Sequence, residues 1–479
     1  MKTIFAGRKL TIKEICEMCG GELLLCGIHE SSFVSGICTD SREADAETLF
    51  VAIPGERVDG HDYIMPTVAR GCPFALASRM PDMGGEKYAI ILVEDTTAAI
   101  GRLAREYKKS INCFTVGVTG SVGKTTTKEF IASVLSENCK TFKTEGNHNS
   151  VIGMPLSIMG MDSDVRAAVL EMGMSGFGEI EAMSKAASPD IAVITTIGTS
   201  HMEQLGSREN ICHAKMEIAD GLGENGMLIL NGDEPLLLSA DKKGKKTVYV
   251  GIENRDADVR ALNIRMSIDR TVFDLLASGR IYSNMELPVM GQHNVYAALF
   301  AFAVGRELGM DAESIRRGLL NYKRVGMRQN IYSLCGLTVI EDCYNASPES
   351  MRSAIDVLSE LSEQKGGART VALLGDMLEL GENSPQLHRD VGAYLAKHGC
   401  SVLFTYGERA KNIALSAIEN GMNPENVYVN LKAGTPDITG EMMLHALRAG
   451  DIVLFKASRF MAAEKIIEYL KENTDKLPK

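Results

Sequence analysis

Between Val116 and Phe130 the chain reads "VGVTGSVGKTTTKEF". Apolar residues run up to Val118; a turn with two glycines, then a lysine and three threonines, leads into a helix-like stretch. That order confines the local fold to a buried strand, a tight turn and a helix. Gly120 and Gly123 let the backbone turn so that its N–H groups point inward at an anion. Lys124 can reach the β- and γ-phosphates of a nucleotide, the Thr125 hydroxyl can ligate Mg²⁺, and the helix adds its positive N-terminal end. Strict GxxxxGKT spacing would put glycine at position 118, where Val118 stands. A phosphate cradle does not name a reaction. It can serve hydrolysis, transfer to an alcohol, a conformational switch, or activation of another group.

The rest of the chain narrows that choice. Its 479 residues exceed one ordinary core and suggest about three domains. The chain is 45% hydrophobic and 24% charged, the balance of a globular protein in water. A net charge of -11 argues against broad electrostatic binding to nucleic acid or anionic membrane. The start, "MKTIFAGRKLTIKEIC", lacks a signal-peptide core, and the apolar stretch "NVYAALFAFAVG" is too short to cross a bilayer. The expectation is a cytoplasmic protein. Eleven cysteines, mostly scattered singly, point to reduced thiols. Cys16 and Cys19 have CxxC spacing but share a helical face with Ile12 and Ile15, which predicts small core residues.

The fold class expected is α/β in three segments. Residues 1–97 mix short strands ("SGICTDSR", "ETLFVAI") with a helix in "HDYIMPTVARG" closed by Gly71, a small mixed α/β domain. Residues 98–330 carry short buried strands ("CFTVGVT", "RAAVLEM", "DIAVITTI", "GMLILN") separated by helices, as in an ATPase core with a mostly parallel sheet. Within it, residues 245–290 alternate and suggest antiparallel strands, and "GQHNVYAALFAFAVGRELG" reads as a helix. Residues 331–479 begin a second α/β series ("GLTVIED", "RTVALLGDM", "SVLFTYGE", "DIVLFKAS"), a Rossmann-like domain whose ligand contacts gather at the carboxyl ends of strands. No GxGxxG follows a strand there, so a dinucleotide oxidoreductase is poorly supported.

Several residues outside the loop bear on the chemistry. Glu171 ends a buried run, where an acid beside the phosphate loop either holds Mg²⁺ or is simply solvated. His201 follows another buried strand and is either delivered to the site or structural. Lys215, on a helix-like stretch, reads as an exposed lysine or as a desolvated one whose free amine adds CO₂ to give a metal-binding carbamate. The stretch "TEGNHNSVIGMPL" (144–156) reads as a loop, close to the phosphates or simply connecting strands.

Taken together, "TGSVGKTT", "EMG", "GTSHMEQLGS", "AKMEI" and "GQHN" resemble, in order, the motifs of the Mur ligase family, ATP-dependent amide ligases of bacterial cell-wall synthesis. The stretches "TDSREADAETLFVAIPGERVDGHDYI", "IEDCYNASPESM", "LLGDMLELGENSPQLHRDVG" and "VLFKASRFMAAEKI" resemble the family member that adds a dipeptide. The resemblance spans essentially the whole chain. It implies an N-terminal domain for a UDP-sugar, a central ATPase and a C-terminal Rossmann-like domain. It further implies ATP and two Mg²⁺ ions as cofactors, and UDP-N-acetylmuramoyl-tripeptide and D-alanyl-D-alanine as partners of a monomer. Carried over by motif, Ser41 and Arg42 would lie at the uridine, with Gly55, Asp59 and His61 near the same nucleotide-sugar. Gly120, Ser121, Gly123, Lys124, Thr125 and Thr126 would form the nucleotide cradle. Glu171 and His201 would ligate the second Mg²⁺ with Lys215, which matches the lysine that the family carbamylates. Asn149 would lie by the substrate and Asn294 by the adenine. Arg328 and Asp342 would contact ATP from the C-terminal side. Asn345, Asp376, Lys456, Ser458 and Arg459 would face the acceptor or the closed cleft. Two positions depart from the family pattern: Ala297 stands where the adenine motif has a second asparagine, and Ser150 closes "NHNS" where another is usual.

Overall fold

A computed structural model describes residues 1–55 and 57–476, organised by three main sheets. The first has six strands in the order Lys2–Ile4, Gly36–Cys38, Thr48–Val51, Phe74–Ala77, Tyr88–Leu92, Glu22–Cys26; its inner four are parallel and its edges antiparallel. The helix read in "HDYIMPTVARG" is a 3₁₀ turn, Gly60–Tyr63, running into Ile64–Ala69. Cys16 and Cys19 lie in the core on the helix Ile12–Cys19, beside Ile12 and Ile15. Burial raises both thiols, Cys19 to about 12, which suits inert core residues.

The second sheet has nine strands and positions the site. Six parallel strands run in the order Thr141–Lys143, Ala167–Glu171, Phe114–Thr119, Ile191–Ile194, Met227–Asn231, Lys246–Gly251. The meander Val259–Ser267, Arg270–Ala277, Arg280–Leu287 then closes the sheet; its first strand pairs parallel to the neighbour and the rest are antiparallel. Phe114–Thr119 lies between the strand ending at Glu171 and the strand ending at Ile194, so connections leave it in opposite directions. A crevice opens at such a switch point, outside the carboxyl ends of the strands. The phosphate loop, Glu171 and the segment 195–201 all start there. Val118 is fully buried in this strand and pairs with Glu171 and Val193. The missing glycine therefore falls in the sheet, and the turn begins after it.

The helix Gln292–Glu307 is apolar nearly all round and buried, as a core helix should be. It packs on Lys124–Leu135, the helix that follows the phosphate loop. The helix Ala312–Leu320 fits the same surface through Gly318, where a Cβ would stand 2.5 Å from the Val134 Cα. Phe130 and Tyr322 stack at 3.8 Å between centroids. Packing on three sides thus fixes the helix that carries Lys124.

The third sheet has six strands: Asn330–Leu334, Leu337–Glu341, Ile452–Lys456, Thr370–Gly375, Val402–Tyr406, Val427–Asn430, all parallel except the first. The first and last of these were not legible as strands. Asn330–Leu334 is only half-buried, and Val427–Asn430 is four residues long, so neither shows a sustained apolar run. The stretch 144–156 also differs from its reading as a loop throughout. From Gly153 it is the helix Gly153–Met159, with Pro155 in the first turn, where no intrahelical N–H is needed. Ser150 Oγ accepts the Gly153 N–H at 3.1 Å, so this departure from the family pattern serves as a turn at the helix start. Among the described residues no helix is long and apolar enough to cross a membrane.

Candidate active site

The phosphate loop has the backbone its sequence calls for. Gly120 sits at φ 146 and Gly123 at φ 84; a Cβ on Gly120 would fall 1.9 Å from the Thr195 Oγ1. The loop is tied to the next strand's exit: Thr195 Oγ1 donates to the Val122 carbonyl at 2.6 Å, and the Ser121 N–H to the Thr196 carbonyl at 2.9 Å. Lys124 folds back on its own loop, with Nζ donating to the carbonyls of Gly120 (2.7 Å) and Ser121 (3.3 Å). Burial lowers its pKa below the usual lysine range, while Glu171 pulls the other way. The Ser121 hydroxyl is buried without a partner, and phosphate oxygens would supply the missing acceptor.

Glu171 is buried at the end of its strand. Its Oε2 accepts from Thr125 Oγ1 at 2.9 Å, and its Oε1 from Asn149 Nδ2 at 2.9 Å. Behind it, Lys128 Nζ lies 3.8 Å from Glu171 Oε2 and 3.2 Å from Glu129 Oε1, and donates to the Thr144 carbonyl at 2.6 Å. Lys143 also pairs with Glu129. A hydroxyl and a carboxylate at 2.9 Å are hard oxygen donors of the kind Mg²⁺ takes. His201 is left-handed at φ 64, and its Nδ1 lies 2.9 Å from Glu379 Oε2 without an aligned hydrogen bond. Lys215 is only 1% exposed, so the exposed reading of it fails. Burial, then the nearby Lys124 charge, push its pKa well below the lysine range; the Cys212 thiol opposes this weakly. Among the described residues no three His, Cys, Asp or Glu side chains form a ready metal cage.

The opposite wall comes from the helix Gln292–Glu307 and the third sheet. The Arg328 guanidinium stacks 3.8 Å above the Tyr344 ring. Asp342 pairs with Lys456 and accepts the Gln329 N–H at 3.3 Å; Lys456 also donates to the Asn345 carbonyl at 3.2 Å. Asn294 Nδ2 donates to the Met290 carbonyl (2.8 Å) and to Gln329 Oε1 (3.2 Å). Both its donors are thereby used inside the protein, and its Oδ1 is left to accept from a ligand, as an exocyclic amino group requires. Ala297 lines the same wall without a polar atom, and Gln329 places an amide beside Asn294.

These walls enclose a cavity of about 700 Å³. It gathers Ser121 to Thr126, Asn149, Glu171 and His201 from one side and Asn294, Arg328, Asp342 and Asn345 from the other. Lys215 is not among the lining residues, but it is close enough to Lys124 for that charge to act on it. Other candidates lie elsewhere. Arg42 is exposed and paired with Asp40 at 2.6 Å, and the Ser41 carbonyl accepts from Arg70 at 2.6 Å. The Gly55 N–H donates to the Val58 carbonyl at 3.1 Å; position 56 of that loop lies outside the described residues. His61 is buried. The Ser78 N–H donates to its Nε2 at 2.9 Å, so its Nδ1–H donates to Asp59 at 2.6 Å. One ring nitrogen is thus taken by its own loop and the other by Ser78, after the strand Phe74–Ala77. In the third domain Asp376 accepts the Ala410 N–H at 2.7 Å, and burial raises its pKa. Ser458 Oγ accepts the Leu378 N–H at 3.1 Å, and Arg459 pairs with Glu464 at 2.7 Å. None of these three lines the cavity. Sequence reasoning missed Lys128, Gln329, Glu349 and Glu379. Nothing in the string marks Lys128 and Glu129 as interior, since charged residues on a helix are mostly exposed.

Comparison with known proteins agrees with this geometry. Residues 33–108, 118–305 and 327–459 match the domains described as "Mur ligase family, catalytic domain", "Mur ligase middle domain" and "Mur ligase, glutamate ligase domain". The chain is 39% identical to the UDP-N-acetylmuramoyl-tripeptide–D-alanyl-D-alanine ligase of Bacillus subtilis, over 97% of this chain and 99% of that one. The chain belongs to the Mur ligase family. Among solved Mur ligases, a crystal structure of MurF from Acinetobacter baumannii superposes with a TM-score of 0.85 at 30% identity, covering 98% of this chain and 100% of that one. MurF from Thermotoga maritima in complex with ADP gives 0.80 at 29% identity, covering 92% and 98%. The three-domain α/β architecture expected from the sequence is thus the Mur ligase architecture.

In this Mur ligase the buried charges behind Glu171 generate a prediction. Lys128→Met keeps the side chain's bulk and leaves Glu171 and Glu129 short of a cation. It is expected to cost about 3 kcal/mol of stability, read from urea unfolding; a variant as stable as the parent would contradict this electrostatic account.

Proposed function

We propose that this chain joins D-alanyl-D-alanine to the terminal carboxylate of UDP-N-acetylmuramoyl-tripeptide, giving the pentapeptide precursor, ADP and phosphate. The observation that carries the proposal is the cavity itself. A phosphate cradle on one wall faces nucleotide- and acceptor-side residues on the other, within a chain similar over its whole length to a ligase named for that reaction. The proposed domains are 1–97 for the UDP-sugar, 98–330 for ATP and 331–479 for the acceptor side.

A carboxylate is a poor electrophile, because its leaving group would be oxide. Moving the γ-phosphoryl group of ATP onto it makes an acyl phosphate with a good leaving group. Lys124, released from the carbonyls it holds in this structure, and the N–H groups of the loop bind the charge that shifts during transfer. Two Mg²⁺ ions fit the donors present, one at Thr125 with the ATP phosphates and one at Glu171 and His201, and would neutralise phosphoryl charge when bound. Asn294 orients the adenine, while Arg328 and Asp342 reach the nucleotide from the third domain. Ser41, Arg42 and the loop from Gly55 to His61 hold the UDP end. Asn149 and Asn345 flank the reacting carboxylate and amine, and Asp376, Ser458 and Arg459 shape the acceptor side. The amine attacks the acyl carbon and phosphate departs. The chain is proposed to act as a monomer. A cytoplasmic location would supply ATP and the nucleotide-linked precursor.

Lys215 has the environment for carbamylation. Burial and the neighbouring Lys124 charge favour its neutral form, and a free amine adds CO₂. The resulting anion would relieve the repulsion from Lys124 and add an oxygen donor for the second ion. Because the proton must leave first, occupancy should rise with pH. With carbon-13-labelled bicarbonate, a carbamate resonance is expected in the wild type and absent in Lys215→Arg; equal spectra would rule the modification out.

The reaction is tested by phosphate release with ATP, Mg²⁺ and the UDP-tripeptide, with and without D-alanyl-D-alanine, together with product mass. Release should depend on the dipeptide, the product should be heavier by one dehydrated dipeptide, and Lys124→Ala should lose turnover yet still bind the UDP-tripeptide. Release indifferent to the dipeptide would favour another acceptor amine or an ATP-driven switch.

A further inference from the structure

Six acidic side chains line the cavity: Glu171, Glu179, Asp233, Glu234, Asp342 and Glu349. Five have both carboxylate oxygens engaged or a cation beside them. Glu171 is held by Thr125, Asn149 and Lys128, and Asp342 by Lys456 and Gln329. Asp233 accepts the Tyr296 hydroxyl at 2.7 Å and the N–H groups of Ile252 and Asn254. Glu234 accepts from Arg208 with both oxygens at 3.0 Å, and Glu179 takes the N–H groups of Ser175 and Gly176. Glu349 differs. Its Oε1 accepts from the Thr199 N–H at 2.9 Å and the Thr199 hydroxyl at 3.1 Å. Its Oε2 is shut off from solvent and has no hydrogen-bond partner among the described residues.

A carboxylate oxygen closed off from water without a donor is a costly arrangement, and the place of this one is informative. Glu349 stands in the first turn of the helix Pro348–Gln364, on the third domain, where the helix N-terminus favours its negative charge. Its partner Thr199 belongs to the central domain, two residues before His201. The carboxyl group rests against Gly198, where a Cβ would lie 2.8 Å from its Cδ. A carboxylate from the acceptor-side domain is thus held by one oxygen at the exit of the strand that neighbours the phosphate loop.

The chemistry of the second half-reaction needs such a group. An α-amine with a pKa of about 8 is mostly ammonium at neutral pH and has no free pair for attack. Oε2 is covered by Gly198 in this arrangement, where a Cβ would stand 2.9 Å from it. Resting on the ligase reading above, we propose that Glu349 is a catalytic residue for the amine: with substrates in the cleft the cover at Gly198 opens, and Oε2 binds the acceptor's ammonium and takes one of its protons. The freed nitrogen pair then forms the bond to the acyl carbon, and the carbonyl π pair moves to oxygen. When that pair returns, the bond from carbon to the phosphate oxygen breaks and phosphate leaves with its electrons. The second nitrogen proton passes to the departing phosphate, leaving a neutral amide, and Glu349 returns its proton to water. Thr199 fixes the carboxylate while this happens.

The test compares two nucleophiles in Glu349→Gln, whose carbonyl oxygen can still accept from Thr199. D-Alanyl-D-alanine arrives as an ammonium; hydroxylamine is neutral at the same pH and needs neither an anionic anchor nor a base. With ATP, Mg²⁺ and the UDP-tripeptide, dipeptide-dependent turnover should fall about 100-fold, with a raised KM for the dipeptide. Formation of the hydroxamate from hydroxylamine should stay within about twofold of wild type, which also reports a folded, phosphorylating enzyme. Glu349→Asp should recover part of the dipeptide rate. Equal loss with both nucleophiles would assign Glu349 to holding the domains together and overturn the proposal, as would unchanged dipeptide turnover. A wild-type enzyme that makes hydroxamate but no dipeptide adduct would instead refute the acceptor assignment, and this role with it.

Discussion

The hydrogen bond from Thr125 to Glu171 joins the first turn of the helix after the phosphate loop to the end of the adjacent strand. It exists because the strand Phe114–Thr119 sits where the sheet order reverses, so the loop and Glu171 emerge side by side. Lys128 makes the contact sustainable by offsetting the buried negative charge of Glu171 and Glu129. The helix carrying these residues is in turn held by the buried helix Gln292–Glu307 and by the close approach at Gly318. The cradle is therefore held in place by contacts within the protein itself, the preorganisation that electrostatic stabilisation of phosphoryl transfer would use.

The third domain completes the site through a few polar contacts. Glu349 reaches Thr199, Glu379 approaches His201, and Gln329 links the Asn294 wall to Asp342. Gln329 holds a left-handed conformation at φ 50, a strained choice for a side-chain-bearing residue that Asp342 and Met290 stabilise. Contacts of this number and kind can break and re-form as substrates enter. In the proposed reaction, closure would shield the acyl phosphate from water, which would otherwise compete with the amine.

How much of this was readable in the string depended on the signal each residue leaves. Strands buried on both faces, such as Phe114–Thr119 and Thr370–Gly375, show as unbroken apolar runs, and the glycines and lysine of the cradle mark themselves by order. The short or half-buried strands of the third sheet leave no such run. Glu171 and His201 were marked by their places after buried strands and Asn294 and Arg328 by the resemblance alone, and all four line the cavity. His61 and Ser458 came from the resemblance, yet the fold engages their polar atoms in holding neighbouring segments together, His61 with Asp59 and Ser78 and Ser458 with Leu378. Lys128 and Glu349 were invisible because burial of a charged side chain is decided by partners far away in sequence, here residues 144, 171 and 199.

In the proposed reaction the phosphate cradle activates a carboxylate. The most direct measurement uses UDP-tripeptide whose terminal carboxylate carries a heavy-oxygen label, with mass analysis of the phosphate released during turnover with D-alanyl-D-alanine. An acyl phosphate intermediate predicts one labelled oxygen in every phosphate formed by ligation, because the bond broken lies between the acyl carbon and that oxygen. Unlabelled phosphate would mean that ATP is hydrolysed by water and that the cradle serves some other purpose.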